Sequence, residues 1–302
     1  MSQRTVAAAR PAATGLGIGL TLLAMFGFAA MDGISKVLAG AHAIPQILWV
    51  RYILFTMLAV VVLRQKGLAT VWRSGQPWLQ LARALLIVVE NGMFVLAFKY
   101  LPLADVHAIA AASPLIVIAL SVPLLGEKVG PRRWLAVAVG FFGVLLIVRP
   151  GFQQIGVGML IALAGAALWG LYQILVRLCS ATDSTETTWL WSAVVGLAAT
   201  SLVGPFTWTT PDAQGWALLV LLAALGSGAH LALIKALSLA EASALQPFGY
   251  TLFLWAIVIG YLAFGDLPDR WTLAGGGIIL ASGLYAWHRE RVRARQAEIQ
   301  PL

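Results

Sequence analysis

KYLPLADVHAIAAASPLIVIALSVPLLGEKVGPRRWLAVAVGFFGVLLIVRP, residues 99–150, is the stretch whose reading decides the fold. A Lys-x-Leu-x-Leu-Ala-Asp entry leads into an apolar run carrying Pro114. A Gly-Glu-Lys turn at Gly126–Lys128 follows, and an Arg-Trp pair opens a second, Gly-rich run. The plan returns between Lys235 and Arg289. Lys99, Leu101, Leu103, Ala104 and Asp105 meet Lys235, Leu237, Leu239, Ala240 and Glu241 at an offset of 136, and Arg133, Trp134 and Gly140 meet Arg270, Trp271 and Gly277 at 137. The chain therefore reads as a duplication, with one unit in residues 1–150 and its copy in residues 151–302.

Composition names the solvent. With 60% hydrophobic residues, 11% charged and a mean hydropathy of +0.88, a chain of 302 residues has too little polar surface to cover a particle in water. In hydrocarbon every backbone amide must be paired within the protein, and the apolar runs are long and lack the alternation of barrel strands, so helices are expected. The net charge of +8 does not indicate nucleic acid, because the basic residues sit between apolar runs and form no patch with interleaved aromatics. The single cysteine, Cys179, excludes an internal disulfide.

Ten runs have the 18–25 residues or so that a hydrocarbon core of about 30 Å requires at 1.5 Å per residue. They cover roughly 14–38, 45–64, 77–98, 104–125, 132–149, 156–178, 189–207, 216–236, 243–264 and 271–288. Pro45 and Pro77 open the second and third, where proline costs no helical hydrogen bond. The first run stands where a signal peptide would, but it is long and reaches Asp32 and Lys36 without a convincing small-residue cleavage site, so an uncleaved helix is expected. A polar linker, Ser180–Thr188, separates the halves. Placing the N-terminus in the cytoplasm puts fourteen basic residues inside (Arg4, Arg10, Arg64, Lys66, Arg73, Lys128, Arg132, Arg133, Arg177, Lys235, Arg289, Arg291, Arg293 and Arg295) and only Lys99, Arg149 and Arg270 outside. Each half then has five crossings, an odd number, so the second half is inverted. The expectation is an all-α integral membrane protein of ten transmembrane helices in two inverted five-helix repeats, multi-pass in a bacterial-type inner membrane, with both termini cytoplasmic. Inverted repeats are common among secondary transporters, whose halves rock about a central site.

The duplicated five-span unit, the Leu-Pro-Leu-Ala-Asp entry at Leu101–Asp105, the Gly126-Glu127-Lys128 turn and its echo at Gly265-Asp266 resemble the drug/metabolite transporter superfamily in its EamA-like branch. The resemblance covers nearly the whole chain. It implies ten helices, an inverted pseudo-twofold, a central cavity and carriage of a small metabolite without ATP. Within that branch Met31-Asp32-Gly33-Ile34-Ser35-Lys36, the Trp49-x-Arg51-Tyr52 of the second span and Arg83-Ala84-Leu85 of the third are similar to permeases that take up S-adenosylmethionine or riboflavin. Export of amino acids, related metabolites or drugs fits the same superfamily, so direction stays open.

Polar residues inside the spans are the candidates for substrate binding or gating. Asp32 and Lys36 are four apart on one helical face and are expected to pair, either as packing or as part of a gate. Arg51 lies at comparable depth, and Glu90 with Asn91 lies near the middle of the third span, which makes a near-neutral cluster. Arg83 shares a face with Glu90 and stands close enough to the membrane edge to reach the headgroups. In the second half Trp169, Tyr172, Gln173 and Arg177 form one stripe, and Gln246 with Tyr250 form another about Pro247. Trp169 and Tyr172 read either as packing aromatics or as a stacking wall for a planar or cationic metabolite. His230 and His107, each alone among apolar neighbours, read first as packing histidines. The small residues Ala108–Ser113 and Ala242–Ala244 mark crossing helices that could also line a cavity. The proposed site joins Glu90, Tyr172 and Gln246 near mid-membrane.

A membrane enzyme would need a nucleophile with a base, or a metal cluster. No Ser-His-Asp grouping, metal-ligand spacing or phosphate loop is present, so neither catalytic residues nor a cofactor is called for. A channel would need a ring of like charge or a carbonyl filter, which is likewise missing. The partners expected are a small metabolite and the lipid bilayer. Glu90 and Asp32 can each bind a proton, so proton coupling and passive exchange both fit, as do monomer and homodimer.

Overall fold

Helix is the regular structure that hydrocarbon permits to a single open chain, and it is the only one among the described residues. The computed structural model describes residues 11–125, 130–148, 156–239, 245 and 248–299. The helices are α1 (Pro11–Ala41), α2 (Ile44–Leu63), a short α3 (Leu68–Trp72), α4 (Pro77–Tyr100), α5 (Leu103–Ala110), α6 (Ser113–Leu125), α7 (Pro131–Val148), α8 (Val157–Cys179), α9 (Thr185–Ser201), α10 (Ala213–Leu239), α11 (Thr251–Phe264) and α12 (Arg270–Ile299). Gly15–Ala41, Ile44–Lys66, Pro77–Tyr100, Leu103–Leu124, Val157–Cys179 and Ala213–Ala236 are long and apolar enough to cross a membrane, and Trp134–Val148 and Thr251–Phe264 are shorter apolar helices. The protein is an all-α, multi-span membrane protein. Its outward face agrees, since Phe206 is 86% exposed, Trp78 81% and Leu262 76%, a surface suited to lipid.

Helix ends follow local chemistry. Pro45 and Pro77 sit in the first turns of α2 and α4. Ser184 caps α9 by accepting the Thr187 amide at 3.1 Å, which starts that helix four residues before the expected 189. Gly265 closes α11 with φ 69°, the left-handed conformation that glycine adopts freely. The fourth expected span, 104–125, is two helices rather than one. Pro114 has no amide for the Ala110 carbonyl, and the hydroxyl of Ser113 lies 2.7 Å from that oxygen and 3.1 Å from the carbonyl of Ala166 on α8. Ala242–Ala244, Gln246 and Pro247 of the expected ninth span lie outside the described residues.

Packing crosses between the halves. α1 lies against α10 and α11, while α8 lies against α4 and α6; α2 pairs with α9, and α7 with α12. The α7–α12 crossing depends on two glycines. A Cβ on Gly143 would stand 2.7 Å from the Gly275 carbonyl, and one on Gly275 2.5 Å from the Gly143 carbonyl, so only glycine permits the approach.

Candidate functional site

Two cavities open within the bundle. The larger, about 580 Å³ counted to its open side, is lined by Phe28, Met31 and Asp32 of α1, by Ile87, Glu90, Asn91, Phe94 and Val95 of α4, by His107 and Ala110 of α5, by Trp169 of α8, by His230 of α10 and by Leu252 of α11. The smaller recess, about 320 Å³, is lined by Arg51, Tyr52, Phe55, Ile87, Tyr172, Ser192, Gly226, Ser227 and His230. Ile87 and His230 belong to both walls. The α5–α6 break lies beside the larger cavity, where irregular backbone in a membrane is tolerated.

The expected charge pairing is corrected here. Lys36 does not pair with Asp32. Its Nζ donates to Oδ2 of Asp266, in the turn after α11, at 2.8 Å, and lies 4.6 Å from the centroid of the Phe264 ring. Asp32 instead places Oδ2 3.3 Å from Nε2 of His107, a close contact that makes no hydrogen bond. One face of a helix allows an i,i+4 pair, but partners on other helices lie in better positions. His107 is 3% exposed and is flanked by Phe94 and Phe98. Arg51 Nη1 donates to Oδ1 of Asn91 at 2.8 Å, and the Asn91 amide donates to the Ile87 carbonyl at 2.6 Å. Glu90, 5% exposed, has no hydrogen-bond partner among the described residues.

Arg83 does not reach the headgroups. It is fully buried and donates to Gln80 Oε1 at 3.1 and 2.8 Å, to the Thr188 carbonyl at 2.8 Å, to Ser192 Oγ at 2.9 Å and to Tyr172 Oη at 3.3 Å. Gln80 in turn donates to Asp183 at 2.8 Å, and Asp183 accepts from the Gly75 amide at 2.8 Å and from Ser74. This chain ties the loop before α4 to the linker before α9. Burial alone would raise the Asp183 pKa, but the hydrogen bonds from Ser74, Gln80, Gly75 and Thr182 outweigh it and hold the carboxyl below its ordinary value. Trp72 and Trp191 stack at 4.3 Å beside this tie. At the other end of α2, Gln46 bonds Thr209 through both the carbonyl oxygen and the amide of that residue, at 2.6 and 3.0 Å.

Of the remaining sequence candidates, Trp169 stacks on Tyr172 at 5.4 Å, so the two join the larger cavity to the recess. His230 stands edge-on to Phe28 at 4.9 Å and lies on both walls rather than in packing alone. Gln173 is half-buried and lines neither cavity. Tyr250 is buried against Gly283 of α12, where any Cβ would meet its phenol ring. Gln246 lies outside the described residues. Sequence reasoning missed Phe28, Phe94, Gln80, Asp183 and the role of Asp266. For Phe94 a signal existed, because the 136-residue offset carries it onto His230.

The EamA-like transporter family model matches residues 15–149 and again 156–286. A riboflavin transporter of Rhizobium johnstonii is 28% identical over 97% of this chain and 98% of its own. An S-adenosylmethionine uptake transporter of Rickettsia bellii is 25% identical over 91% and 94%, and a pseudopaline exporter of Pseudomonas aeruginosa is 28% identical over 88% and 94%. A crystal structure 20% identical in sequence matches the fold with a TM-score of 0.62 over 92% of this chain and 97% of that one. The chain belongs to the EamA-like transporter family of the drug/metabolite transporter superfamily, and it is a membrane transporter rather than an enzyme.

Proposed function

We propose that the protein carries a small metabolite by alternating access, as a secondary transporter of a bacterial-type inner membrane, through ten crossings in two inverted halves with both termini cytoplasmic. The observation that carries this reading is the lining of the larger cavity. Counted in the expected spans, it draws on the first, third and fourth of one half (α1, α4, α5) and the first, third and fourth of the other (α8, α10, α11). The helix contacts support it too. Exchanging the halves turns the α1–α10 contact into the α8–α4 contact and leaves α2–α9 and α7–α12 unchanged, as a pseudo-twofold requires. Phe94 and His230, one offset apart, face the same space.

Substrate sits in that cavity against Glu90, Asp32, Asn91, Trp169 and His230, with Tyr172 and Arg51 behind it. The names of the relatives support S-adenosylmethionine or riboflavin as cargo and uptake as the direction; the exporter at 28% identity supports outward carriage as a second reading. Counterflow in sealed proteoliposomes tests the proposal, since only a carrier exchanges unmodified label. Uptake of labelled S-adenosylmethionine or riboflavin against an internal pool, reduced by Trp169→Ala, is the expected result. Exchange that is indifferent to every cavity variant would refute the site.

A further inference from the structure

The smaller recess has no acidic residue among its described lining, and several of its hydrogen-bond donors have nothing to donate to. Arg51 is 7% exposed, and its guanidinium stays charged wherever it is buried. Nη1 donates to Asn91 at 2.8 Å, and among the described residues the group makes no other hydrogen bond and no ion pair. Glu90 and Asp32 line the larger cavity instead. The edge left free is the one formed by Nε and Nη2. A Cβ on Gly226 of α10 would stand 3.5 Å from Nε and 3.6 Å from Nη2, so a side chain there would crowd that edge and glycine leaves it open. Two hydroxyls of the same lining are in a like condition. Ser227, 3% exposed, has no hydrogen-bond partner among the described residues. Tyr172 accepts from Arg83 at 3.3 Å, which leaves its own proton without an acceptor. Buried donors without acceptors are costly, and an arginine cannot shed its proton to reduce that cost.

We propose that the recess is a carboxylate subsite: the substrate carries a carboxylate, whose two oxygens accept from Nε and Nη2 of Arg51, with the hydroxyls of Tyr172 and Ser227 as further donors. The free edge of the guanidinium presents two parallel N–H bonds, the fork that matches both oxygens of one carboxylate. The recess is the smaller space and takes one end of a ligand. Ile87 and His230 belong to both walls, so the body of the same ligand lies in the larger cavity. The inference deepens the transport reading above and rests on it. Of the two cargoes considered there it favours S-adenosylmethionine, which has a carboxylate, over riboflavin, which has none.

The test uses purified full-length protein in nanodiscs and calorimetric titration with probe pairs that differ at the carboxylate. The pairs are S-adenosylmethionine against decarboxylated S-adenosylmethionine and tryptophan against tryptophanamide, with riboflavin as a planar probe that lacks the group. At least one carboxylate should bind about tenfold or more tightly than its partner. Arg51→Gln should bring that ratio towards one, and Arg51→Lys, which keeps the charge but not the fork, should recover only part of it. Tyr172→Phe and Ser227→Ala should each lower the ratio by about two- to tenfold, and they serve if the Arg51 variants do not fold. Trp169→Ala, in the larger cavity, should weaken both members of a pair alike. Equal or tighter binding of the carboxylate-free members, failure of every carboxylate to bind, or a ratio unchanged in folded Arg51→Gln overturns the inference, as does a ratio unchanged in both hydroxyl variants where Arg51→Gln does not fold. Full recovery by Arg51→Lys overturns the two-oxygen seat. If Trp169→Ala weakens binding while the Arg51 and hydroxyl variants leave the ratio alone, the subsite fails and the transport site stands. If no cavity variant affects a probe that binds, the transport site is elsewhere and the subsite falls with it.

Discussion

Lys36 has two acidic neighbours to choose between, one suggested by spacing and one by the fold, and a double-mutant cycle separates them. Lys36 Nζ and Asp266 Oδ2 are 2.8 Å apart, and their side chains are 18% and 33% exposed. Two unit charges about 4 Å apart interact by about 4 kcal/mol at an effective dielectric constant near 20. Desolvation, side-chain ordering and water around Asp266 reduce this, and fully exposed pairs retain only about 0.2–1 kcal/mol. A coupling of about 1–2 kcal/mol is therefore expected between Lys36→Gln and Asp266→Asn, and under about 0.5 kcal/mol between Lys36→Gln and Asp32→Asn. Reversible unfolding of the four proteins of each cycle in mixed micelles measures both. Coupling below about 0.3 kcal/mol for Lys36 with Asp266, beside more than about 1 kcal/mol for Lys36 with Asp32, would show that the i,i+4 pair is the real one.

Arg83→Met leaves Gln80 Oε1 without a donor in a buried site, while the Thr188 carbonyl keeps Ser192, and should cost about 1–3 kcal/mol in the same unfolding assay; Arg83→Lys, which cannot reproduce the two bonds to Gln80, should not restore it. Gly143→Val and Gly275→Val should abolish the folded fraction seen by size-exclusion chromatography, whereas Gly277→Ala, with open space around it, should leave it intact. The Asp183 carboxyl has a depressed pKa in the folded state, so its contribution is complete above the unfolded value of about 3.9 and is lost as pH falls through the lower folded value. Thermal unfolding between pH 5 and 7 should thus show no Asp183-dependent change, and the difference between wild type and Asp183→Asn should shrink only below about pH 4. Reporter fusions after Lys66, Arg133 and Arg295 should report cytoplasm, and those near His42 and Asp212 the far side; an external signal after Arg295 would remove the inverted arrangement.

How much was legible depended on the range of the interaction involved. Membrane solvent, helical class and the offset between Lys99 and Lys235 are properties of composition and order, and they needed no coordinates. Pro45 and Pro77 act through their own backbone, and Ser184 acts through a side chain that reaches only three residues on, so the helix starts were readable to within a few residues. The α5–α6 break was half-legible: Pro114 marked it, but Ser113 holding a carbonyl of α8 is a contact between helices. Among site residues, Asp32, Glu90, Asn91, Trp169 and His230 were named from depth and polarity and do share one cavity, because a polar group inside a span has few places to go except inward. Tyr250 satisfied the same rule yet packs on Gly283, because a phenol carries no full charge and can be buried against a glycine.

Partner choice was the part the chain could not state. Spacing along a helix says which side chains share a face but not what lies opposite, and in a close-packed bundle the opposite helix decides. So Lys36 went to Asp266, Asp32 to His107 and Arg83 to Gln80 and Thr188, each across a contact set by how the helices pack. The amino-acid sequence by itself determined the solvent, the helices and the duplicated plan, since those follow from local chemistry and period. Only the tertiary structure decided which charges are satisfied and which are left facing the cavity, because that depends on distances of a few ångströms between residues far apart in the chain.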